Sequence, residues 1–357
     1  MKPLIARIRP LTVLALALVL ALAGASPAGA VTIVQKQAEA DRVEAQVASL
    51  NTKAEIAAEK YNVARSRYDS LSKQVRSSNA KIKKLKSRTR VLQTHLDTRA
   101  NAMYRQGPLG FISVLVSVND FEELDATVRV LTSLNQNDAS TVAELKQNKI
   151  EEAATNATLV AAQADASTQK KAMSTNQKAV ESQLDARKRV LDGLNGEVRN
   201  LVAQKKAAED AAAHARYLAL VKRSPASNST AADSGGNAPT SSKGAAAVFW
   251  AMKAIGRPYH YGAGGPDSFD CSGLTSWAYG KAGISLPHSS SAQISQGARI
   301  SKSNLQPGDL VFFGSPIHHV GMYVGGGDFI EAPYTGMNVR VVSLGRRSDY
   351  AGACRPN

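Results

Sequence analysis

One apolar repeat runs without interruption from Ile33 to Met103 and constrains the first half of the chain more than any other feature. Steps of three and four residues along it meet 21 positions, of which 17 are apolar when Ala and Tyr are counted. The stretch contains neither Gly nor Pro. Nothing therefore breaks a helix of about 105 Å at 1.5 Å per residue. The spacing predicts a coiled-coil helix.

A second helical arm is predicted beyond a break at residues 106–108, which read QGP. A short apolar stretch follows, and helical periodicity then resumes at Leu124 and continues to about Val221. Two long arms joined by a compact tip can bury their apolar seams by folding back on each other. Region 31–222 is therefore predicted to form an all-α antiparallel coiled-coil hairpin.

The first 30 residues have the composition of a secretory signal peptide. Lys2, Arg7 and Arg9 precede an apolar stretch at 11–23, and small residues lead to a predicted cleavage after Ala30. The alternative is a retained membrane anchor, but about 13 apolar residues fall short of the roughly 20 that a spanning helix needs. We expect a secreted, extracellular protein that is associated with the cell wall.

The composition changes after residue 222. Residues 223–244 contain no large apolar side chain and are predicted to be a disordered linker. The remaining residues, 245–357, predict a helix at 245–255, a second helix that begins at Cys271, and then strand-like runs separated by turns. The runs lie at 310–313, 320–324, 329–332 and 339–344. Helices followed by antiparallel strands are typical of an α+β domain.

The net charge of +15 belongs mostly to the N-terminal half, because residues 245–357 hold nine Lys or Arg against six Asp or Glu. Such an excess can hold an exported protein near anionic wall polymers or lipid headgroups. A solvated helical surface is the alternative. Nucleic acid is not an expected partner, because basic residues do not alternate with aromatic ones in this chain.

The chain has only two cysteines, Cys271 and Cys354, and a disulfide between them would leave the C-terminal domain inert. The alternative is that Cys271 is a nucleophile. His260, His288 and His318 lack ligand spacing with other donors, so we expect neither a metal site nor a cofactor.

Cys271 stands where a loop meets a predicted helix, in the run FDCSGL. The first turn of a helix stabilises a thiolate through its unsatisfied N–H groups. His319 has the best setting for a proton acceptor, since alternation along HHVGMYVG places it on the face opposite Val320. Glu331 follows twelve residues later on a neighbouring predicted strand, where its carboxylate could orient the imidazole.

These residues resemble the NlpC/P60 family of papain-like cell-wall endopeptidases, and the resemblance covers essentially everything from Ala245 onward. Its motifs occur in the family's order. They are RPYHYGAGGPDSFDCSGL, GISLPHSSSAQ, LQPGDLVFF, HHVGMYVGGGDFIEAP and VRVVSL. The resemblance implies a papain-like α+β domain in which Cys271 is the nucleophile, His319 the general base and Glu331 the orienting residue.

The same resemblance implies roles for the residues around the nucleophile. Tyr259 matches the tyrosine that lines the nucleophile's pocket, and it would bind the tetrahedral oxyanion together with the backbone N–H of Cys271. Asp270 and Ser272 are expected to cap the helix or fix the loop, in a neighbourhood that family members use to bind the stem peptide. The chain departs from the family in having Glu331 where many members carry His, and His288 where Arg is frequent.

The N-terminal half resembles, more loosely, the coiled-coil regions of secreted wall hydrolases that are controlled by the membrane divisome complex of FtsE and FtsX. The tip segment MYRQGPLGFISVLVSVNDFEELDATVRVL carries this likeness. It implies that the hairpin docks on such a partner and shields the catalytic cleft until it is engaged. A simple spacer is the alternative.

The resemblance implies a secreted cysteine endopeptidase that hydrolyses the bond between D-glutamate and diaminopimelate in peptidoglycan stem peptides, during wall remodelling or cell separation. One alternative is a non-catalytic organiser whose coiled coil carries the function while the C-terminal domain binds wall. Another is a papain-like amidase or acyltransferase, because the same triad serves either chemistry.

Overall fold

The computed structural model describes residues 27–106, 121–223 and 243–357. Most of the predicted signal peptide, the tip between the two arms and most of the predicted linker lie outside these residues. Among the described residues, no helix has the combination of length and apolar character needed to cross a bilayer.

Two long helices dominate the N-terminal half, α1 at Pro27–Gln106 and α2 at Phe121–Asp192. They run antiparallel, because later residues of α1 form ion pairs with earlier residues of α2. Lys81 contacts Glu151 and Arg88 contacts Glu144, each at 2.6 Å. The buried seam consists largely of small residues and includes Ala54, Ala57, Ala58, Ala64, Leu159, Ala162 and Val180. The predicted helix from Ile33 to Met103 is present, while supercoiling of the pair stays a prediction.

The second arm does not continue to Val221 as one helix, so that part of the prediction was wrong. It ends at Asp192, and a separate helix, α3, spans Gly196–Arg223. Glycine is a poor helix former, and Asn195 caps the new helix by accepting a 2.9 Å hydrogen bond from Val198 N. Helix α3 then turns back and runs parallel to α1.

The direction of α3 follows from its ion pairs with α1. Glu197 contacts Lys36, and Lys205 contacts Glu44 at 3.0 Å, so residue numbers increase together along the two helices. The base of the hairpin is therefore a three-helix assembly, and α3 leads from it to the C-terminal domain. There Arg216 contacts Asp328 at 2.9 Å.

The C-terminal domain combines three helices with one six-stranded antiparallel sheet, which confirms the α+β prediction. The helices are α4 at Lys243–Lys253, α5 at Cys271–Lys281 and α6 at Ser290–Gln293. The strands are β1 at Gly297–Ile300, β2 at Leu310–Phe313, β3 at His319–Gly325, β4 at Asp328–Glu331, β5 at Arg340–Ser343 and β6 at Tyr350–Pro356. They are ordered β1-β6-β2-β3-β4-β5.

Strands β2 to β5 match the four predicted runs to within one or two residues, whereas β1 and β6 were missed. Each mixes small residues with a long polar one, GARI in β1 and YAGACRP in β6, and neither shows a clear alternation of apolar and polar residues. The main core lies where α4 and α5 cover the sheet, and it includes Leu274, Tyr279, Phe312, Val320 and Met322. The opposite face carries a smaller cluster around Phe313 and Phe329. Alternation along β3 therefore sends Val320 and Met322 to the helices, as predicted.

Candidate active site

The first turn of α5 carries the candidate nucleophile. Asp270 is the N-cap residue, and its Oδ1 accepts a 2.7 Å hydrogen bond from Gly273 N. This cap starts the helix at Cys271, whose side chain is 7% exposed. A Cβ at residue 273 would collide with the Ala263 carbonyl oxygen. Glycine at this position thus lets the loop before the helix pack against the nucleophile's turn.

His319 opens strand β3 and is fully buried. Its Nε2 lies 3.0 Å from Glu331 Oε2 on the neighbouring strand β4. Because an ionised carboxylate only accepts hydrogen bonds, Nε2 carries the proton in the neutral ring. Nδ1 is then the basic nitrogen, and it has no hydrogen-bond partner among the described residues.

The electrostatics of this pair favour a neutral imidazole and an ionised carboxylate. Burial alone would raise the pKa of Glu331, but the hydrogen bond from His319 and the charges of Arg340 and Arg347 outweigh it and lower the pKa to about 2. Burial lowers the pKa of His319, against an opposing effect of Glu331. Nδ1 is therefore available to accept a proton near neutral pH.

The thiol of Cys271 is held in its protonated form. Burial raises its pKa well above the usual value, and the carboxylates of Asp270, Glu59 and Glu55 raise it further. Its Sγ lies 4.0 Å from the backbone oxygen of His318, beside the start of β3. The helix N-terminus alone had predicted a stabilised thiolate. Here the burial of the thiol and the carboxylates of α1 oppose the effect of the helix N-terminus on the pKa of Cys271.

Asp270 is the centre of a hydrogen-bond network that fixes the loop, in agreement with its expected structural role. Besides capping α5, its Oδ2 accepts from Gly262 N at 2.8 Å. Its Oδ1 lies 2.8 Å from His288 Nε2 and 3.3 Å from Ser272 Oγ. His288, which stands where the family often has Arg, therefore contacts Asp270.

Tyr259 is buried beside the nucleophile. Burial raises the pKa of its phenol well above the usual value, and Cys271 and Asp270 contribute further. Cys354 does not pair with Cys271, since both thiols are free and buried. The disulfide alternative is therefore wrong. In the part of the chain that the structure describes, no group of three or more His, Cys, Asp or Glu could hold a metal ion.

One face of α1 occupies the cleft, in line with the expected shielding, but sequence reasoning named none of the residues that make the contact. Glu59 accepts four hydrogen bonds of 2.6 to 3.0 Å from the α6 region: two from the hydroxyls of Ser289 and Ser291, and two from the backbone N–H groups of Ser290 and Ser291. Asn62 donates to Asp270 Oδ2 at 2.9 Å.

The same face of α1 reaches the imidazole of His319. Glu55 Oε2 lies 3.8 Å from His319 Nδ1 and 4.0 Å from His318 Nε2. Glu55, Glu59 and Asn62 are spaced four and three residues apart, so they share one side of the helix. That spacing was visible in the sequence, but a polar stripe of this kind is also typical of a solvated helix surface.

The site unites a buried thiol at a helix start with a histidine and a carboxylate on adjacent strands, an arrangement suited to thiol-based acyl transfer. The NlpC/P60 family model matches residues 256–351. A probable endopeptidase of Corynebacterium glutamicum is 53% identical over 95 residues, which are 27% of this chain and 46% of that protein. The probable endopeptidase p60 of Listeria grayi is 50% identical over 91 residues, 25% of this chain and 18% of that protein.

The C-terminal domain of this chain belongs to the NlpC/P60 family. The chain spans about half, or less, of the length of these curated relatives. Among solved structures, the NlpC/p60 domain of the peptidoglycan hydrolase SagA is 40% identical, with a TM-score of 0.30, over 31% of this chain and 97% of that one.

Proposed function

We propose that this protein is a secreted cysteine endopeptidase that hydrolyses peptidoglycan stem peptides at the bond between D-glutamate and diaminopimelate. The observation that carries the proposal is the buried His319 Nε2 to Glu331 contact of 3.0 Å. It leaves Nδ1 as the basic nitrogen in the neighbourhood of Cys271. The names of the relatives support a peptidase, and an intact Cys271, His319 and Glu331 set disfavours a non-catalytic organiser.

In the proposed reaction, His319 acts first as a base and then as an acid in each of two half-reactions. His319 Nδ1 takes the proton of Cys271 Sγ, and the thiolate attacks the scissile carbonyl carbon. The Cys271 N–H and the Tyr259 hydroxyl donate to the resulting oxyanion. The imidazolium gives its proton to the leaving amine as the C–N bond breaks, which leaves a thioester. Water, deprotonated by His319, then hydrolyses the thioester and restores the thiol.

We also propose that α1 keeps this enzyme inactive until the hairpin is displaced. Four hydrogen bonds to Glu59 and one from Asn62 hold α1 over the cleft. Hydrogen bonds to a charged group contribute about 1.5 to 3 kcal/mol each, so these contacts favour docking in the absence of a partner. Control by a divisome partner of the FtsE and FtsX type stays a prediction, because most of the tip lies outside the described residues.

The test is digestion of purified peptidoglycan, with the products identified by mass spectrometry. The variants are the wild type, the double variant Glu55→Ala with Glu59→Ala, and the same double variant with Cys271→Ala. We expect new peptide termini at the D-glutamyl bond from the double variant, several-fold fewer from the wild type, and none once Cys271 is replaced.

Asp69→Ala is the matched control, because Asp69 is an exposed acid of the same helix. It should leave the wild-type activity unchanged. No new termini from the double variant would refute the peptidase. Transfer of the acyl group to an added amine instead of water would support the acyltransferase alternative. Equal activity of the wild type and the double variant would refute inhibition by α1.

A further inference from the structure

Arg340 belongs to the VRVVSL run at the end of the family motifs, a run to which no role has been attached. It lies on β5 directly opposite Glu331 in the register of strands β4 and β5. Its Nε donates to Glu331 Oε1 at 3.1 Å. The side chain of Arg340 is 18% exposed and that of Glu331 is 3% exposed, so the contact is largely removed from solvent.

The carboxylate of Glu331 is held at both of its oxygens. Oε2 accepts from His319 and Oε1 accepts from Arg340. The terminal torsion of a glutamate has a broad, soft energy profile. With only one contact, the carboxylate could rotate and lose its hydrogen bond with the imidazole. A donor on each oxygen fixes the plane of the carboxylate.

No other described cation can take over this contact. Arg347 approaches Glu331 Oε2 only to 3.9 Å. Its guanidinium is already committed to Asp349 through two hydrogen bonds of 2.9 Å, and it lies over the ring of Phe313. Removing Arg340 would therefore leave Glu331 Oε1 without a close donor.

We propose that Arg340 is a positioning residue of the catalytic site: it fixes Glu331 so that His319 keeps its proton on Nε2 and presents a basic Nδ1 to the thiol of Cys271. This role rests on the proposed function, because the tautomer of His319 matters for catalysis only if Cys271 is the nucleophile. Arg340 itself does not touch the reacting atoms.

The presence of a carboxylate at position 331 explains why a cation belongs at position 340. A neutral orienting group would not need a counter-charge, and an imidazole there would be repelled by the guanidinium whenever it gained a proton. A buried carboxylate that must stay ionised does need one. Arg340 meets that need on the side of Glu331 that His319 does not occupy.

The test uses the full chain with Arg340→Gln and Arg340→Lys. Arg346→Gln is the matched control, because Arg346 and Arg340 both face Glu209 of α3, at 3.5 and 3.8 Å, while only Arg340 contacts Glu331. Nitrogen NMR of protein labelled at histidine reports the tautomer of His319 without any substrate. We expect the Nε2–H form in the wild type and in the control, and a mixture of tautomers in Arg340→Gln.

A kinetic measurement separates positioning from a merely structural contact. In the Glu55→Ala and Glu59→Ala background, Arg340→Gln should lower kcat on the order of tenfold with little change in KM. Arg340→Lys keeps the charge without the planar guanidinium. Its kcat should therefore lie between that of the parent and that of Arg340→Gln. If Arg340→Gln unfolds, Arg340→Lys carries the test alone.

A wild-type tautomer in the Arg340 variants would overturn the proposal. So would an unchanged kcat, or an equal loss in Arg346→Gln. If no variant hydrolyses peptidoglycan, the proposed function fails, but the tautomer measurement still decides whether Arg340 positions His319.

Discussion

In the proposed mechanism, the basicity of His319 Nδ1 depends on Glu331. Replacing it by Gln keeps the size but removes the charge that holds the His319 proton on Nε2. It also removes the carboxylate to which Arg340 donates and leaves Glu209, at 3.8 Å, as an acidic neighbour of Arg340. Loss of the orienting carboxylate in a catalytic triad can cost as much as about 10⁴ in kcat. We expect Glu331→Gln to lower kcat by about 10² to 10⁴ in the Glu55→Ala and Glu59→Ala background, measured by release of stem-peptide termini. Activity within a factor of two of the parent would contradict this role.

Glu55 makes the docking of α1 dependent on pH. Burial raises its pKa to about 8, against an opposing effect of Arg347 and with the carboxylates of Glu331 and Asp349 adding to the rise. His318 and His319 lie within 4.0 Å of it, and Cys271 and Tyr259 are further titratable neighbours. Undocked, Glu55 would titrate near the ordinary value of 4.5. Because the docked state favours protonated Glu55, the docking free energy is most favourable below about pH 4.5. It becomes less favourable as the pH rises to about 8.

Hydrogen exchange measures this dependence at the backbone N–H groups of Ser290 and Ser291, which donate to Glu59. After correction for the intrinsic exchange rate, their protection should fall between pH 6 and pH 8.5 in the wild type. Glu55→Gln cannot ionise, so its protection should change much less over the same interval. Parallel behaviour of the two proteins would show that another group controls docking.

The sequence could single out the candidate catalytic residues because local patterns mark each of them, and their catalytic roles stay predictions. Cys271 is marked by a loop that runs into a helix, and His319 by two-residue alternation along its strand. Glu55 and Glu59 could not be recognised in the same way. They lie beside the apolar seam of α1, where the sequence pattern would also fit a solvent-exposed surface. Only the fold shows that they point into the cleft of the C-terminal domain.

At the scale of elements, the start of α5 depends on the lack of a side chain at position 273. A Cβ there would collide with the Ala263 carbonyl oxygen and lie 2.9 Å from His288 Nε2. Overpacking of a buried position costs about 1 to 3 kcal/mol. We expect Gly273→Ala to lower the free energy of unfolding of the C-terminal domain by that amount and to reduce kcat, because the Cys271 turn must shift.

The same helix provides the control for this substitution. A Cβ at Gly280 meets nothing within 4 Å, so Gly280→Ala should be neutral or stabilising, as alanine is the better helix former. Denaturant unfolding followed by tryptophan fluorescence suits both variants, since Trp250 and Trp277 pack in the C-terminal domain. Equal effects of the two substitutions would mean that the contact with Ala263 does not matter.

Helices and strands were predictable where their side chains follow a clear hydrophobic period. They were not predictable where tertiary contacts determine the secondary structure. Strand β2 is fully apolar, β3 alternates, and β4 and β5 each have two apolar residues at their centre; all four were found. Strand β6 consists largely of small residues around Cys354 and is defined by its place between β1 and β2. The reversal after Asp192 was hidden because the apolar residues Leu191, Leu194 and Val198 keep the helical period across it. Only Gly193, Asn195 and Gly196 marked the break.

At the scale of the whole molecule, docking of the hairpin sets the chemical state of the nucleophile as well as access to it. Burial and the two carboxylates on α1 contribute to the raised pKa of Cys271. Displacement of α1 removes its two carboxylates and the burial that α1 provides. Asp270 stays beside the thiol, and the helix N-terminus then favours the thiolate. The apparent pKa of Cys271 should therefore fall when the hairpin is released, and its alkylation rate at pH 7 should rise by an order of magnitude or more.

Iodoacetamide labelling followed by peptide mass spectrometry tests this without any wall substrate, and Cys354 is an internal reference. Burial raises the pKa of Cys354 to about 11, and its partners lie within the C-terminal domain, so its slow labelling should not change. In the Glu55→Ala and Glu59→Ala variant, Cys271 should become the faster of the two thiols, while Asp69→Ala should match the wild type. If Cys271 labels at the wild-type rate in the released variant, α1 does not control the thiol. Groups of the C-terminal domain alone would then keep the Cys271 thiol protonated in the resting chain.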